Sequence, residues 1–335
     1  MSSSNAIFSV VMPAYNRASF IVEALDSIQA QTYRPIEIIV VDDGSTDETR
    51  DVVAAWGRDN QEEGALLLRY FYQENAGVGA ARNRGIKEIR GRYVQFLDSD
   101  DRLHPDRLMQ LVDMFETENC DFVQTGFEGF DAETEEVIQT IYGRPGVNQL
   151  ELALQGFLWA NTLRSAFTTE LVRRIGVWKT EMSCFEDREY VERAVCQAKR
   201  PGALRDILAS ARRGGSDRIS DKLRSREGRT WRIYCEARLA EAICHRSDIS
   251  DAAKRAFASR IYALGFRSNA SGWSDLGREC GEIAAKMNVE LDALGRRRRF
   301  VWRFGYLGGR LHKAAWNLKQ VFDRKLTVDK KSLDD

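Results

Sequence analysis

Asp98, Asp100 and Asp101 stand in one turn, with Ser99 between the first two. They follow Tyr93-Val94-Gln95-Phe96-Leu97, an apolar run that reads as a strand. A strand ending in Asp-x-Asp carries its carboxylates to the sheet edge where open α/β proteins bind ligands. Carboxylates this close repel one another unless a cation or a basic side chain neutralises them. All-oxygen donors suit Mg²⁺ or Mn²⁺, ions that also hold substrate phosphates. Taken alone, such a turn can equally be a plain solvated acidic loop. The continuation Arg102-Leu103-His104 lacks the third ligand and the glycine of a calcium loop, which argues against an EF-hand.

The elements that must position this turn are legible upstream. Residues 7–16 read as a strand running into a loop, with Pro13 ending the ladder because it has no N–H to donate. Phe20, Ala24, Leu25 and Ile28 then share a helical face, with Ser19 as cap. Residues 36–41 are almost wholly apolar, as a strand buried on both faces should be, and end in Asp42-Asp43-Gly44-Ser45. Ser45 and Glu48 form a capping box ahead of a helix whose inner face is Val52, Val53 and Trp56. A third strand is expected over 66–72. A third helix is expected from Gly77-Val78-Gly79, continued by Ile86 and Ile89. Strands alternating with helices at intervals of roughly thirty residues imply a parallel, doubly wound sheet. Gly77-x-Gly79 is not a dinucleotide fingerprint, because Arg82 stands where the third glycine belongs and the motif follows the third strand rather than the first.

The segments 9–16, 40–47, 75–84 and 96–101 resemble, in order, the signatures of glycosyltransferase family 2. So does Ile175-Gly176-Val177-Trp178 followed by Cys184-Phe185-Glu186-Asp187. The likeness covers about residues 7 to 220. It implies a GT-A fold: an α/β, doubly wound, mainly parallel sheet flanked by helices, here with a helical C-terminal extension. It also implies an inverting, metal-dependent sugar transfer from a nucleotide diphosphate donor, with UDP expected, to a saccharide or lipid-linked acceptor in surface polysaccharide synthesis.

Mapped residue by residue, the resemblance makes Pro13, Tyr15, Asp43, Arg82, Asp98 and Arg213 donor-binding. Asp43 would accept a hydrogen bond from a base N–H, with capping of the turn as the alternative role for its neighbour Asp42. Tyr15 would stack on the base, though an aromatic there can also be core. Arg82, near the start of its helix, would reach phosphate or base, and Asp98 would contact ribose or the metal. Asp100 and Asp101 would hold Mn²⁺ or Mg²⁺, with either able to be the direct ligand. Asp187 is similar to the family's catalytic base, and Glu186 is the fallback; a carboxylate is the right group to take a proton from an attacking hydroxyl. Arg212-Arg213-Gly214-Gly215-Ser216 lacks the histidine often found at this place, which puts a histidine metal ligand in doubt. Trp159 would line the acceptor side or else pack in the core.

The chain has 335 residues, 43% of them hydrophobic, enough for a sizeable core. Lys plus Arg and Asp plus Glu are 50 each, a balance that argues against a general nucleic-acid binder. The six cysteines show no C-x-x-C pair and read as reduced thiols. No leader-like segment precedes the first strand, and no apolar run reaches the ~20 residues that span a bilayer, so a cytoplasmic protein is expected. The expected divisions are a catalytic domain over 1–222, a helical region over 223–295, a basic amphipathic segment over 296–326 and a disordered tail over 327–335. Residues 296–322 hold eight Lys or Arg and no acid, beside an apolar stripe with Trp302, Tyr306 and Trp316. Such a segment suits an anionic membrane surface, giving a peripheral location on the inner face; packing on the protein's own body is the alternative. A non-catalytic nucleotide-sugar or glycan-binding module on the same fold is the competing class, disfavoured by Asp187 beside Asp100 and Asp101. A membrane-associated scaffold is a third.

Overall fold

The computed structural model describes residues 7–156, 158, 160–214, 222–223 and 225–290, together with Arg296 and Arg299. The chain divides into two compact units. One holds residues up to 150 and 159–220, and the other holds 151–158 and the residues from 221 on.

The first unit is built on strands β1 (Phe8–Ala14), β2 (Ile36–Asp43), β3 (Leu66–Gln73) and β4 (Tyr93–Phe96), with helices α1 (Ile21–Gln29), α2 (Thr49–Asn60) and α3 (Val78–Glu88) between them. These strands are mutually parallel in the order β3-β2-β1-β4. Strand order therefore reverses at β1, with β2 on one side and β4 on the other. That is the switch point at whose C-terminal edge α/β sheets open a crevice. All seven residues of β1 and all eight of β2 are buried, which is why both read as mainly apolar runs.

One face of the sheet packs Val10, Met12, Ile38 and Val40 with Ala24, Leu25 and Ile28 of α1 and Val53 and Trp56 of α2. The opposite face is approached so closely by α3 that a Cβ at Gly85 would fall 2.4 Å from Val11 Cγ1. Glycine is needed there for the helix to lie on the sheet.

Beyond β4 the sheet continues as β5 (Arg102–Leu103), β6 (Phe122–Asp131), β7 (Val137–Ile141), β8 (Ser165–Thr168) and β9 (Pro201–Arg213). The path runs β4-β8-β6-β9-β5, with β7 paired to β6. Here parallel and antiparallel pairs mix: β8 is antiparallel to β4 and β6, and β9 is parallel to β6 and antiparallel to β5. The parallel arrangement thus describes the first four strands. The later ones are too short or too polar to stand out as apolar runs. Helices α4 (Arg107–Thr117), α6 (Thr169–Ile175) and α7 (Glu186–Gln197) belong to this unit, and α5 (Gln149–Gln155) runs across its boundary.

Three local expectations are corrected. Pro13 does not end the ladder: β1 runs to Ala14, with Pro13 opposite Val41. Val11 O accepts from Leu97 N at 3.0 Å, so the backbone of residue 13, two positions on, faces the same side, past the end of β4. The missing N–H costs nothing there. Ser19 does not cap α1, whose N-cap is Phe20 with no side-chain bond. The box of Ser45 and Glu48 does not form, because α2 begins at Thr49 with Glu48 as an uncapped N-cap. Asp47 takes the Thr49 N–H and hydroxyl instead, and Ser45 Oγ accepts from Asn16 N at 2.9 Å.

The second unit contains α8 (Arg226–Ile243), α9 (Asp251–Ala270) and α10 (Ser274–Ala285). Ser225 and Ser250 cap the first two of these helices through their hydroxyls. The fully buried Glu236 of α8 pairs with Arg260 of α9. Trp159, residues 297–298, 300–326 and the tail over 327–335 lie outside the described residues. Within the basic run, Arg299 lies 6.0 Å from the Tyr262 ring. No helix among the described residues is long and apolar enough to cross a membrane.

Candidate active site

The C-terminal ends of β1, β2 and β4 bring Tyr15, Asp43 and Asp98 to one edge of the sheet. Two loops hold the first of these in place. Asn16 has a left-handed backbone (φ 51°), a conformation Asn tolerates better than most residues. Its N–H donates to Ser45 Oγ, and its Oδ1 accepts from Thr46 N at 2.8 Å. Arg17 N donates to Thr49 Oγ1 and Ala18 N to Asp47 Oδ2. The loop after β1 is thereby stitched to the loop after β2, and the Tyr15 ring stands 46% exposed. Pro13 is buried within β1.

Asp43 is buried and fixed through both oxygens. Oδ1 accepts from Gln73 Nε2 at 2.7 Å and Ala76 N at 2.9 Å, and Oδ2 accepts from Gly77 N at 2.8 Å. Gly77 has φ +90°, which explains the glycine: its backbone must turn left-handed to present that N–H. Asp42 does cap its turn, accepting from Ser45 N at 2.7 Å and from the Tyr70 hydroxyl.

The acidic turn follows β4 and closes on itself through Asp101 N to Asp98 O at 3.1 Å. Burial first, and the charge of Asp98 second, push the Asp100 carboxyl up. Burial and then Asp100 push Asp101 well up. Asp101 Oδ1 accepts from Arg212 N at 3.0 Å, which binds the turn to the end of β9. The Arg212 side chain, with Arg102, is tied to Glu23 and Glu135, and both guanidiniums lie over Phe130.

Arg213, the next residue, lies 5.9 Å from the Phe127 ring. It has no carboxylate within ion-pair distance among the described residues, and its charge draws Asp101 back down. Arg17 does the same for Asp100 while its guanidinium donates to the Asn16 carbonyl at 3.2 Å. Arg17 was not among the expected site residues. Nothing in the sequence separates it from other surface arginines.

Among the described residues no three His, Cys, Asp or Glu side chains converge to hold an ion by themselves. Asp100 and Asp101 nevertheless fit a divalent cation. They are oxygen donors, burdened by burial and mutual repulsion that a positive ion would relieve. Mg²⁺ characteristically takes one or two carboxylates and completes its shell with phosphates and water.

The second half of the site comes from the segment before α7. Phe185 sits at the N-cap with φ 65°, a strained conformation for a bulky residue. It turns the chain so that Glu186 and Asp187 open the helix, where the helix dipole favours carboxylates. Asp187 is not the cap, and the Thr162 hydroxyl lies 3.2 Å from its Oδ2. Burial pushes Asp187 up and Arg82 opposes it. Burial, then Asp187, push Glu186 up to about 7.

Arg82 joins the two halves. Its guanidinium is 2% exposed, with Nη2 donating to Asp98 Oδ1 at 2.7 Å and Nη1 lying 2.7 Å from Asp187 Oδ1. The second contact is off the line of an N–H bond, so it is chiefly Coulombic. Glu186 is 3.8 Å away. Burial acts to lower Arg82, and the three carboxylates outweigh it, so its pKa is raised. The contacts that Arg82 makes here are to the protein carboxylates of Asp98, Glu186 and Asp187.

The sheet with its switch point and the acidic turn after β4 define a GT-A architecture. Residues of the Staphylococcus aureus protein TarS, crystallised as 1–349 with UDP-GlcNAc, superpose with a TM-score of 0.71 over 93% of this chain and 92% of that one, at 20% identity. The family model described as Glycosyl transferase family 2 matches residues 9–164, just under half of the chain. A putative teichuronic acid biosynthesis glycosyltransferase, TuaG, of Bacillus subtilis is 34% identical over 127 residues, covering 38% of this chain and 49% of TuaG. An uncharacterized glycosyltransferase of Rickettsia felis is 38% identical over 120 residues, covering 36% of this chain and 19% of its own length. The chain thus spans between a fifth and a half of these two curated relatives.

Proposed function

We propose that the chain is an inverting glycosyltransferase that moves a sugar from a nucleotide diphosphate donor, UDP-linked, to a hydroxyl of a saccharide or lipid-linked acceptor in surface polysaccharide synthesis. The observation that carries this reading is the joining of Asp98, which leads the acidic turn, to Asp187 through Arg82. It sets a candidate donor site and a candidate base side by side. The reported complex of TarS with UDP-GlcNAc and the naming of TuaG for teichuronic acid synthesis support UDP and a surface polymer.

In this reading Tyr15 stacks on the base and Asp43, held by three donors, accepts from its N–H. Arg17 and Arg213 face the diphosphate, and Asp100 and Asp101 hold Mg²⁺ or Mn²⁺. When bound, the ion supplies positive charge against the departing diphosphate. Asp187 takes the proton of the acceptor hydroxyl, whose oxygen attacks the anomeric carbon as the bond to the diphosphate oxygen breaks on the opposite face. The new bond therefore has inverted configuration.

A panel of UDP-sugars assayed for release of UDP, with Mn²⁺ and with EDTA, tests the reading. Release that depends on a sugar donor and on the ion is expected. UDP binding without turnover on any donor or acceptor would favour a non-catalytic binding module instead. The basic segment over 296–322 is proposed to rest on an anionic membrane surface. Full-length protein should then co-sediment with anionic vesicles at low salt, and a chain ending at Leu294 should not. Equal sedimentation of the two would remove the segment from that role.

A further inference from the structure

Arg82 is buried between the two halves of the site. Its guanidinium lies over the Trp178 ring at 4.4 Å, and Trp178 is stacked on Tyr190 at 4.0 Å with 3° between the planes. Phe96 meets both rings edge-on. A guanidinium backed by this stack and 2% exposed offers little surface to a ligand. Nor is it needed to dock the Trp178 segment on α3. The adjacent Asn83 does that, donating from Nδ2 to Trp178 O at 3.0 Å and accepting from Trp178 N at 2.7 Å.

We propose that Arg82 is a positioning residue that binds no substrate: its one guanidinium fixes the donor-side carboxylate of Asp98 and the acceptor-side carboxylate of Asp187 in a single geometry. Calling them donor side and acceptor side rests on the transferase reading. Nη2 of Arg82 donates to Asp98 at 2.7 Å while Nη1 meets Asp187 Oδ1 at 2.7 Å through charge, two positions that one planar guanidinium spans at once. A lysine could neutralise one carboxylate but not brace two. The charges also do not cancel, since one cation faces Asp98, Glu186 and Asp187. Disturbing Asp98 must therefore alter how Arg82 is shared with Asp187. The distance from donor site to base becomes a property of one side chain.

Two experiments test this. The first needs no donor. Urea unfolding is measured for Arg82→Met, Asp98→Asn, Asp187→Asn and the two double variants containing Arg82→Met, with Arg82→Lys replacing Arg82→Met if the latter does not fold. Non-additivity on the order of tenfold or more in the unfolding constant is expected in both cycles. Additivity in either cycle would break the shared brace.

The second measures UDP affinity in Mn²⁺ by calorimetry beside turnover of a UDP-sugar. Arg82→Lys and Arg82→Met should keep UDP affinity within severalfold while turnover falls by about 100-fold or more. Arg82→Met with Asp187→Asn should be no slower than the slower single variant. A loss of UDP affinity as large as the loss of turnover would make Arg82 a donor ligand and overturn the proposal. If the wild-type protein neither binds UDP nor turns over a donor, the transferase reading falls, while the unfolding cycles still decide the role of Arg82.

Discussion

Of the buried arginines in the first unit, Arg82 and Arg107 have opposite surroundings. Arg82 lies among three carboxylates. Arg107, fully buried at the start of α4, donates only to neutral groups: Gln95 Oε1, Thr125 Oγ1 and Leu163 O. Burial first, and then the guanidinium of Arg164, push Arg107 down to about 9, whereas the carboxylates push Arg82 up. Gln95 in turn donates to Thr162 O at 2.9 Å, and the hydroxyl of Thr162 lies beside Asp187. Both arginines therefore bear on the same carboxylate. One does so by charge at its oxygen, the other through a chain of neutral bonds behind the strand. Charge with unspent partners marks the place where chemistry is done; charge buried against carbonyls and amides marks scaffold.

The sharpest test of that contrast sets Asp187→Asn against Arg107→Met. Loss of the base should cut turnover by at least ~10²-fold with UDP affinity nearly kept. Arg107→Met should leave turnover within severalfold. Comparable losses in initial rate would erase the distinction.

Next in size is the ion. Asp100→Ala should weaken UDP binding in Mn²⁺ on the order of tenfold or more, and hardly at all in EDTA, as read by titration calorimetry. Equal weakening under both conditions would take the metal away from this turn.

For stability, Arg107→Met removes a desolvated charge but orphans neutral acceptors, so a cost of about 1–3 kcal/mol is expected. Arg82→Met leaves three half-buried carboxylates without their cation and should cost more, about 3 kcal/mol or above. Urea midpoints that rank the two in reverse would contradict the assignment of scaffold and site.

The last test concerns pH. Glu186 is held near 7, above the ordinary 4.5. The folded protein then binds this proton more tightly than the unfolded chain does. The resulting stabilisation is complete below 4.5 and is lost as pH rises to about 7. Glu186→Gln has no such proton, so between these limits the wild-type melting temperature should fall relative to the variant. Parallel curves would place the Glu186 proton elsewhere.

The parallel half of the sheet was legible because β1, β2 and β4 are mainly apolar runs, each interrupted by one polar residue, that end in Pro-x-Tyr, Asp-Asp and Asp-x-Asp. The site residues at those ends needed only the rule that ligands meet strand C-termini. What stayed hidden depended on distant partners. Arg82 reads as a cation free to meet phosphate until Trp178, Glu186 and Asp187, about a hundred residues away, close around it. Ser45 looked like a helix cap because its spacing to Glu48 is right. Asp47, a stronger acceptor two residues from Thr49, takes those donors, and Ser45 serves the neighbouring loop. Strands β5 and β8, two and four residues long, exist only because longer neighbours pair with them.

Asp43 has a thermodynamic consequence. Its carboxylate is immobilised by two backbone amides and a side-chain amide before any nucleotide arrives. The entropy of ordering that wall is lost once, when the chain folds, and not again at each encounter. Nucleotide association should therefore be governed by collision and stacking rather than by rearrangement of the base pocket. Stopped-flow traces should show a single phase whose rate rises linearly with nucleotide concentration.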